Sequence, residues 1–410
     1  MERIKKQWEN EELMMIGRRE AAADFHHTGE FEKDISLNGE WSFLYLEAPE
    51  FSPEHFFTED YADQEWKKLP VPSCWQCHGY GKKHYTDVWY LFPINPPFVP
   101  SENPCGIYRR NFQLEKKEEG KSYILRFDGV SSAFDVWVNG KHLGYSKVSR
   151  LGSSFDTSAF LREGENRICV RVYQWSDATY LECQDMWWFS GIFRDVKLLV
   201  VPKKGIEDVV LYADYLHESG AGRLRLHLDL GKAEVALEED GSSEEKSGSQ
   251  EDRSLQEDCS LQEDCGSITV SLKDKTERLL FQEKLNCKKA EDGTLQGDFV
   301  KELDSVFSWS AEDPYLYKLE IALEKKGKIV DEVEQALGFR TIVVKGENFF
   351  VNGKAILLNG INMHDFSPTE GLTVKREEVE QDLIRMKHCN INAIRCSHYP
   401  KASWFYSLCD

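Results

Sequence analysis

Two histidines near the C-terminus each follow an apolar run. His364 closes the run 355–364 (AILLNGINMH), and His398 comes shortly after the run 391–396 (INAIRC). Between them, residues 375–389 carry apolar side chains at helical spacing. This order predicts a β-α-β unit with a polar group after each strand. In parallel α/β folds, the groups at the C-terminal strand ends carry the chemistry.

The spacing of the two histidines is typical of a barrel repeat. They are 34 residues apart, close to the roughly 31 expected for one unit of an eightfold βα barrel of about 250 residues. We interpret residues 340–410 as the first two βα units of a TIM barrel. Since two units cannot close a barrel, we expect 340–410 to be incomplete and to be the least stable part of the chain.

The residues before this point are typical of two β domains. Between 34 and 203, short apolar runs alternate with turn residues, and Asn139-Gly140 predicts a type I′ hairpin. This pattern favours a β-sandwich or jelly roll. Residues 204–339 predict a second, smaller β domain, in which 223–230 (RLRLHLDL) alternates with a period of two.

Two segments are too charged to form a core. Residues 1–33 are predicted to be an extended N-terminal arm. Residues 236–266 form an acidic low-complexity insert that contains the repeat SLQEDC at 254–259 and again at 260–265. We expect this insert to be a disordered loop between strands.

Composition excludes several classes of partner. The net charge is −20, which argues against nucleic acid and against an anionic membrane surface, because both require clustered Lys and Arg. The 11 Cys are scattered, and the pair Cys74 and Cys77 has no second pair at zinc spacing. No apolar segment suits a signal peptide or a membrane span. A cytoplasmic location is therefore predicted.

Several segments, in order along nearly the whole chain, resemble β-galactosidases of glycoside hydrolase family 2. They are 37–41 (LNGEW), 95–100 (NPPFVP), 102–104 (ENP), 180–187 (YLECQDMW), 190–196 (SGIFRDV), 352–354 (NGK) and 395–400 (RCSHYP). The resemblance implies a sugar-binding, galactose-binding-like jelly roll at 34–203 and an immunoglobulin-like sandwich at 204–339. It places the start of a TIM barrel at 340–410.

The resemblance also implies a retaining hydrolysis of terminal β-galactosides such as lactose. One carboxylic acid protonates the glycosidic oxygen, and a second carboxylate attacks the anomeric carbon. The family's acid/base lies in a Gly-Asn-Glu-Ser motif and its nucleophile in a Cys-Glu-Tyr motif. Neither motif occurs in these 410 residues, so we expect both glutamates, and most ligands of the family's Mg²⁺, to lie beyond Asp410.

Four residues match substrate-binding positions of the family. Asp185 matches an aspartate that contacts galactose hydroxyls and ligates Na⁺, tasks that suit a carboxylate. His364 and His398 match histidines that hydrogen-bond galactose and favour the transition state. Asp87 stands where relatives carry a substrate-binding Asn, and an Asp cannot donate as an amide does. Met363 replaces a basic residue usual in relatives, which would alter an outer subsite.

Two alternatives stay open from the sequence. Another family 2 activity, β-glucuronidase or β-mannosidase, is disfavoured by the segments around Pro96 and Asp185. The chain could instead be a non-catalytic carbohydrate-binding fragment that complements a separate C-terminal polypeptide. A homo-oligomer is also possible, since large family members usually form dimers or tetramers.

The purified chain is predicted not to hydrolyse a chromogenic β-galactoside. The physical reason is that the sequence contains neither the family's proton-donor motif nor its nucleophile motif. Steady-state assay of highly purified protein checks this. Activity that co-purifies with the chain and disappears in Asp185→Ala would contradict the prediction.

Overall fold

The computed structural model describes residues 4–23, 25–87, 89–232 and 266–410. The predicted acidic insert at 236–266 therefore lies, except for Gly266, outside the described residues. The chain forms two compact units. The first comprises Met1–Ala21, Lys33–Val200 and Leu358–Cys409, and the second comprises Ala22–Glu32 and Val201–Leu357 with Asp410.

Strands dominate the described residues. The first sixteen are β1 (Met15–Ile16), β2 (His26–His27), β3 (Lys33–Ser36), β4 (Gly39–Leu46), β5 (Lys67–Val71), β6 (His84–Thr86), β7 (Cys105–Leu114), β8 (Lys121–Phe127), β9 (Val130–Ser131), β10 (Ala133–Val138), β11 (Lys141–Ser146), β12 (Ser153–Asp156), β13 (Gly164–Tyr173), β14 (Met186–Trp188), β15 (Gly191–Ile192) and β16 (Val196–Pro202).

The later strands belong to a second sandwich, a hairpin and a short parallel pair. They are β17 (Asp208–Leu216), β18 (Ala221–Lys232), β19 (Ser267–Lys273), β20 (Leu279–Asn286), β21 (Lys288–Lys289), β22 (Thr294–Leu303), β23 (Tyr317–Lys325), β24 (Lys328–Leu337), β25 (Ile342–Lys345), β26 (Asn348–Val351), β27 (Lys354–Ile356), β28 (Gly360–Met363) and β29 (Ala393–Cys396).

Among the described residues, helices are few and short. The α-helices are α1 (Thr179–Glu182), α2 (Arg376–His388) and α3 (Ser403–Cys409), and the 3₁₀ turns are Gln7–Glu9, Gly29–Phe31, Pro49–Phe51 and Trp75–His78. Helix α2 confirms the amphipathic helix predicted at 375–389. No described helix has the length and apolar character needed to cross a membrane.

The first unit is built on a β-sandwich. A seven-stranded sheet in the order β1-β11-β10-β13-β7-β4-β5 accompanies a four-stranded sheet in the order β12-β8-β16-β3. Trp41 and Val136 of the larger sheet share one buried cluster with Leu125 and Leu198 of the smaller. Alternate residues of each strand thus face a common core, as expected when two sheets pack face to face.

The predicted hairpin at Asn139-Gly140 is confirmed. The two residues join β10 to β11, which pair antiparallel, and both have positive φ, 49° and 78°. A type I′ turn requires positive φ at both central positions, and Asn and Gly tolerate it best.

The N-terminal segment contributes to both units. In the first unit, Trp8 stacks on Tyr173 with ring centroids 4.4 Å apart, and the buried Glu9 accepts a 3.2 Å hydrogen bond from the Val99 amide. In the second unit, β2 pairs with β24, and the His27 ring lies 2.7 Å from the buried carboxylate of Asp331.

The second unit is a sandwich of a four-stranded sheet, β17-β18-β22-β21, and a five-stranded sheet, β2-β24-β23-β19-β20. Leu224, Leu226 and Leu228 of β18 are buried beside Leu319 and Ile321 of β23. The alternation predicted at 223–230 is therefore one face of a two-sheet core.

The apolar run 355–364 divides into two strands instead of forming one. Its first part, β27, pairs antiparallel with β26 in a hairpin, and its last part, β28, pairs parallel with β29. Between them Asn359 bonds across to the β29 side, donating from its backbone amide to Asn392 Oδ1 at 2.8 Å and from Nδ2 to Asn390 O at 2.7 Å. A continuous apolar run does not reveal such a break in its pairing.

Outside the predicted acidic insert, limited proteolysis with thermolysin is expected to cut first within 342–358. All four residues of β25 are exposed, and Leu357 is 83% exposed, so a protease can reach this small three-stranded sheet. The sequence predicted low stability for all of 340–410. Because residues 358–409 belong to the first compact unit, we now expect early cleavage within 342–358 and later cleavage in the rest of this segment. Mass spectrometry of early fragments checks the order. Equally early cuts inside 364–401 would contradict it.

Candidate functional site

The parallel pair β28 and β29 brings the two predicted histidines together. Met363 pairs with Cys396 at the ends of the strands. His364 directly follows β28, and His398 follows β29 after Ser397, so both histidines lie at the same edge of the pair. Their ring centroids are 5.5 Å apart and the ring planes lie at 83°. Both residues are partly buried. This is the edge at which parallel strands present catalytic and binding groups.

A buried carboxylate next to His364 holds this edge together. Asp365 is 5% exposed and Lys401 4% exposed. Asp365 Oδ1 accepts a 2.8 Å hydrogen bond from Lys401 Nζ, and Oδ2 accepts a 3.0 Å bond from Arg194 Nη2. Two cations therefore share one anion, an arrangement that is stable in a desolvated place only when every partner is present.

Both cations of this triad also bind backbone carbonyls beside the histidines. Lys401 Nζ donates to Met363 O at 2.6 Å, so the residues on either side of His364 are held by one ammonium group. Arg194 Nη2 donates to Pro400 O at 3.1 Å, two residues after His398. The triad thus fixes the backbone from which both imidazoles extend.

Electrostatics favour the neutral form of His364. Burial lowers the pKa of His364, and the positive charges of His398, Lys401 and Arg150 lower it further, while Asp185 acts in the opposite direction. A neutral imidazole has one donor and one acceptor nitrogen, so His364 can exchange hydrogen bonds with hydroxyl groups at neutral pH.

Asp185 is presented by a two-stranded ladder. Strand β14 begins at Met186, directly after Asp185, and pairs antiparallel with β6. Asp185 itself has a positive φ of 48°, a conformation that Asp tolerates better than most residues. The Tyr85 hydroxyl donates a hydrogen bond to Asp185 Oδ1. This bond raises the pKa of Tyr85, and burial and the charges of Asp185 and Asp87 raise it further.

Asp87 lies beside Asp185. The ladder pairs Met186 with Thr86, and continuing that register by one residue sets Asp87 opposite Asp185. Both aspartates are exposed. Two of the predicted binding residues thus form a pair of oxygen acceptors at the end of one short ladder.

Aromatic side chains flank this acceptor pair. The rings of Trp187 and Phe366 are nearly parallel, at 12° with centroids 6.1 Å apart, and Tyr85 lies 5.7 Å from Trp187. Trp187 is 38% exposed and Phe366 42% exposed. Exposed aromatic faces next to carboxylates suit a ring that is apolar on one face and carries hydroxyls at its edge.

The oxygen atoms of this ladder suit a hard monovalent cation. Asp185 and Asp87 offer carboxylate oxygens, the ligand type that hard cations prefer. Within the described ranges, no group of three or more His, Cys, Asp or Glu residues is arranged to hold a metal ion. The carboxylates present could contribute to a sodium site but would need further oxygen ligands.

Sequence reasoning missed the residues that position the histidines. Arg194, Asp365, Lys401 and Tyr399 carry no local pattern, because their partners lie far along the chain. The one available signal was adjacency, since Asp365 follows His364 directly and Tyr399 follows His398 directly.

Three family models match consecutive parts of the chain. The sugar-binding domain of glycosyl hydrolases family 2 matches residues 35–202, the glycosyl hydrolases family 2 model matches 206–340, and the TIM barrel domain of the same family matches 342–410. These matches agree with the predicted order of jelly roll, immunoglobulin-like sandwich and barrel start.

Curated relatives match over nearly the whole chain. β-Galactosidases of Yersinia pestis (bv. Antiqua, strain Angola) and Yersinia pseudotuberculosis (serotype O:1b, strain IP 31758) are 37% identical to it over 424 aligned residues, covering 99% of this chain. The alignment covers 38% and 37% of those proteins respectively. The chain therefore spans well under half the length of these relatives.

Solved structures confirm the fold class. A β-glucuronidase of Bifidobacterium dentium aligns with a TM-score of 0.71 at 19% identity, over 93% of this chain and 60% of that one. A β-glucuronidase of Ruminococcus gnavus aligns with a TM-score of 0.70 at 18% identity, over 93% and 58%. At these identities the likeness concerns the fold alone.

Asp365→Asn is expected to destabilise the first unit by about 3–5 kcal/mol, because it removes the anion that neutralises two desolvated cations. Urea unfolding followed by tryptophan fluorescence measures the change. The matched control is Glu59→Gln, which makes the same carboxylate-to-amide change in an exposed pair with Arg162 and should cost no more than about 1 kcal/mol. Equal effects of the two substitutions would refute a special role for the triad.

Proposed function

Because this chain belongs to glycoside hydrolase family 2, we propose that it supplies the sugar-holding part of a β-galactosidase that acts on terminal β-D-galactosides such as lactose. The observation that carries the proposal is the pair of histidine rings 5.5 Å apart at one strand edge, next to which Trp187, two residues after Asp185, stacks with Phe366. The 37% identity to curated β-galactosidases supports the choice of sugar.

The proposed roles follow from hydrogen-bonding capacity. Asp185 and Asp87 accept bonds from sugar hydroxyls, since carboxylates have several lone pairs and no proton to give. His364, as a neutral imidazole, and His398 can each donate a hydrogen bond to a hydroxyl oxygen. Trp187 and Phe366 offer an apolar surface for the face of a pyranose ring. Holding the ring in one orientation contributes to catalysis by converting an encounter into a positioned reaction.

The chemical step of the proposed reaction needs two carboxyl groups about 5–5.5 Å apart, one as acid and one as nucleophile. The family motifs that carry them do not occur within these 410 residues. We therefore assign binding and orientation to this chain's residues and assign no bond-making step to any of them.

A neutral sugar fits this edge better than a uronate. Asp185 and Asp87 are both exposed anions, whereas Arg194 and Lys401 are buried and bound to Asp365. A substrate carboxylate near the two aspartates would meet like charge, which is unfavourable. This argument favours a galactoside over the glucuronide alternative.

Sodium is proposed as the ion that the acceptor pair shares with the sugar. When bound, Na⁺ would supply a positive charge and a binding point for a hydroxyl oxygen, with Asp185 as a hard oxygen ligand. The carboxylate would then serve ion and sugar together. Mg²⁺, expected in the whole enzyme, is assigned no ligand here.

The cytoplasm is the proposed location. Several cysteines are free thiols, among them the buried Cys74 and Cys169. Unpaired cysteines suit a reducing compartment.

Asp185→Asn is expected to weaken binding of isopropyl thio-β-galactoside to the 410-residue chain by about 10- to 100-fold, the effect of losing hydrogen bonds to a charged group. Titration calorimetry in sodium chloride and in choline chloride measures it. Wild-type affinity should fall when choline replaces sodium, while the variant's affinity should depend little on the cation.

The matched control is Asp156→Asn, the same change at an exposed aspartate of the same domain for which the proposal has no role. It should keep both affinity and sodium response. A variant at position 185 that binds more weakly yet keeps the full sodium response would separate the two proposed tasks. No measurable binding by the wild-type chain would contradict its role in holding sugar.

A further inference from the structure

We propose that Tyr399 is a positioning residue, whose hydroxyl fixes the imidazole of His364 in the tautomer that carries its proton on Nε2. The inference concerns the hydrogen-bond direction at a histidine that the proposed function uses. Its meaning for sugar recognition rests on that function, but the tautomer itself can be measured without any sugar.

The Tyr399 hydroxyl lies between two partners. It accepts a 3.0 Å hydrogen bond from the backbone amide of Asp365, and it lies 3.4 Å from His364 Nδ1. Tyr399 is only 6% exposed. The hydroxyl thus meets the imidazole and the amide of the following residue at one buried point.

Proton accounting selects one tautomer. A backbone amide can only donate, so the Tyr399 oxygen is the acceptor toward Asp365. If His364 carried its proton on Nδ1, the oxygen would accept a second bond and the hydroxyl proton would have no acceptor among the described residues. A buried donor without a partner is costly. With the proton on Nε2, Nδ1 accepts from the hydroxyl and every group is paired.

Buried cations hold the tyrosine ring, and burial keeps the proton on its hydroxyl. The Arg150 guanidinium lies 4.3 Å from the centroid of Tyr399 and 4.9 Å from that of Phe193, and Lys401 Nζ lies 5.3 Å from Tyr399. A cation over an aromatic face is attracted to it. Burial raises the pKa of Tyr399, so the hydroxyl remains a donor at neutral pH.

Burial and most of the nearby charges favour the neutral form of His364. His398, Lys401 and Arg150 disfavour its protonated form, whereas Asp185 favours it. The imidazole is therefore neutral at neutral pH. Its tautomer then determines which ring nitrogen donates a hydrogen bond and which accepts one. With the proton on Nε2, a sugar oxygen that meets this nitrogen must be an acceptor. A hydroxyl that meets Asp185 must be a donor, so the two residues read opposite hydrogen-bonding roles.

The test is a long-range ¹H–¹⁵N correlation spectrum of the 410-residue chain labelled with [¹⁵N]histidine, recorded at about pH 8. The His364 signals are assigned by their loss in His364→Gln. Wild type should show the Nε2–H pattern at His364. In Tyr399→Phe, the ratio of the Nε2–H to the Nδ1–H form should fall about two- to tenfold, as expected for the loss of one neutral hydrogen bond.

Tyr406→Phe is the matched control. The Tyr406 hydroxyl also accepts a backbone amide, that of Lys401 at 3.1 Å, but no described contact links it to His364. This variant should keep the wild-type ratio. A predominant Nδ1–H form in wild type, or an unchanged ratio in a folded Tyr399→Phe protein, would overturn the proposal.

A second measurement covers the case in which Tyr399→Phe does not fold. In wild type, the Tyr399 hydroxyl proton should exchange slowly and show a nuclear Overhauser contact to the His364 ring. Its absence would also overturn the proposal. None of these readouts needs a sugar, so a negative result here leaves the proposed galactoside function standing. Failure of thiogalactoside binding would likewise leave the tautomer result intact.

Discussion

One desolvated carboxylate, that of Asp365, is the constraint on which the candidate site depends. An unpaired buried charge costs several kcal/mol, so Asp365 is tolerable only while Arg194 and Lys401 both reach it. Arg194 lies between β15 and β16, whereas Asp365 and Lys401 follow the two parallel strands. The residues flanking both histidines can therefore adopt their positions only when three distant parts of the chain are correctly folded. The network therefore links the positions of the two histidines to the correct folding of these three parts, and it also stabilises the unit.

The two halves of the site differ in what they contribute. The β6–β14 ladder offers acceptors, Asp185 and Asp87, together with exposed aromatic rings. The β28–β29 pair offers imidazoles, which can donate as well as accept. A polyhydroxylated ring needs partners of both kinds, and neither half supplies them alone. Both the β6–β14 ladder and the β28–β29 pair lie in the first compact unit of the chain.

The sequence predicted elements whose signal is local and failed where the signal is spatial. The alternation in β18, the Asn139-Gly140 turn and helix α2 each depend on periods or dihedral preferences within a few residues. The prediction that the run 355–364 forms one strand is wrong, because hydrophobicity alone does not determine which neighbour a strand will pair with. The roles expected of Asp185, His364 and His398 came from the family resemblance, and the sodium and magnesium sites stay predictions. The Asp365 triad and Tyr399 were missed, since their partners lie far along the chain, as with Arg194 and Asp365, which are 171 residues apart.

The bond from Tyr85 to Asp185 has a consequence for ligand entry. The phenol already binds one oxygen of the exposed Asp185 carboxylate, so the side chain is held in one direction. An incoming hydroxyl must either take the remaining lone pairs or displace the phenol. The first route adds one hydrogen bond and leaves the phenol in place. The second route replaces one neutral donor with another, so the net gain in binding free energy is small. Under the proposed function, a hydroxyl that displaces the Tyr85 phenol therefore contributes little binding free energy of its own.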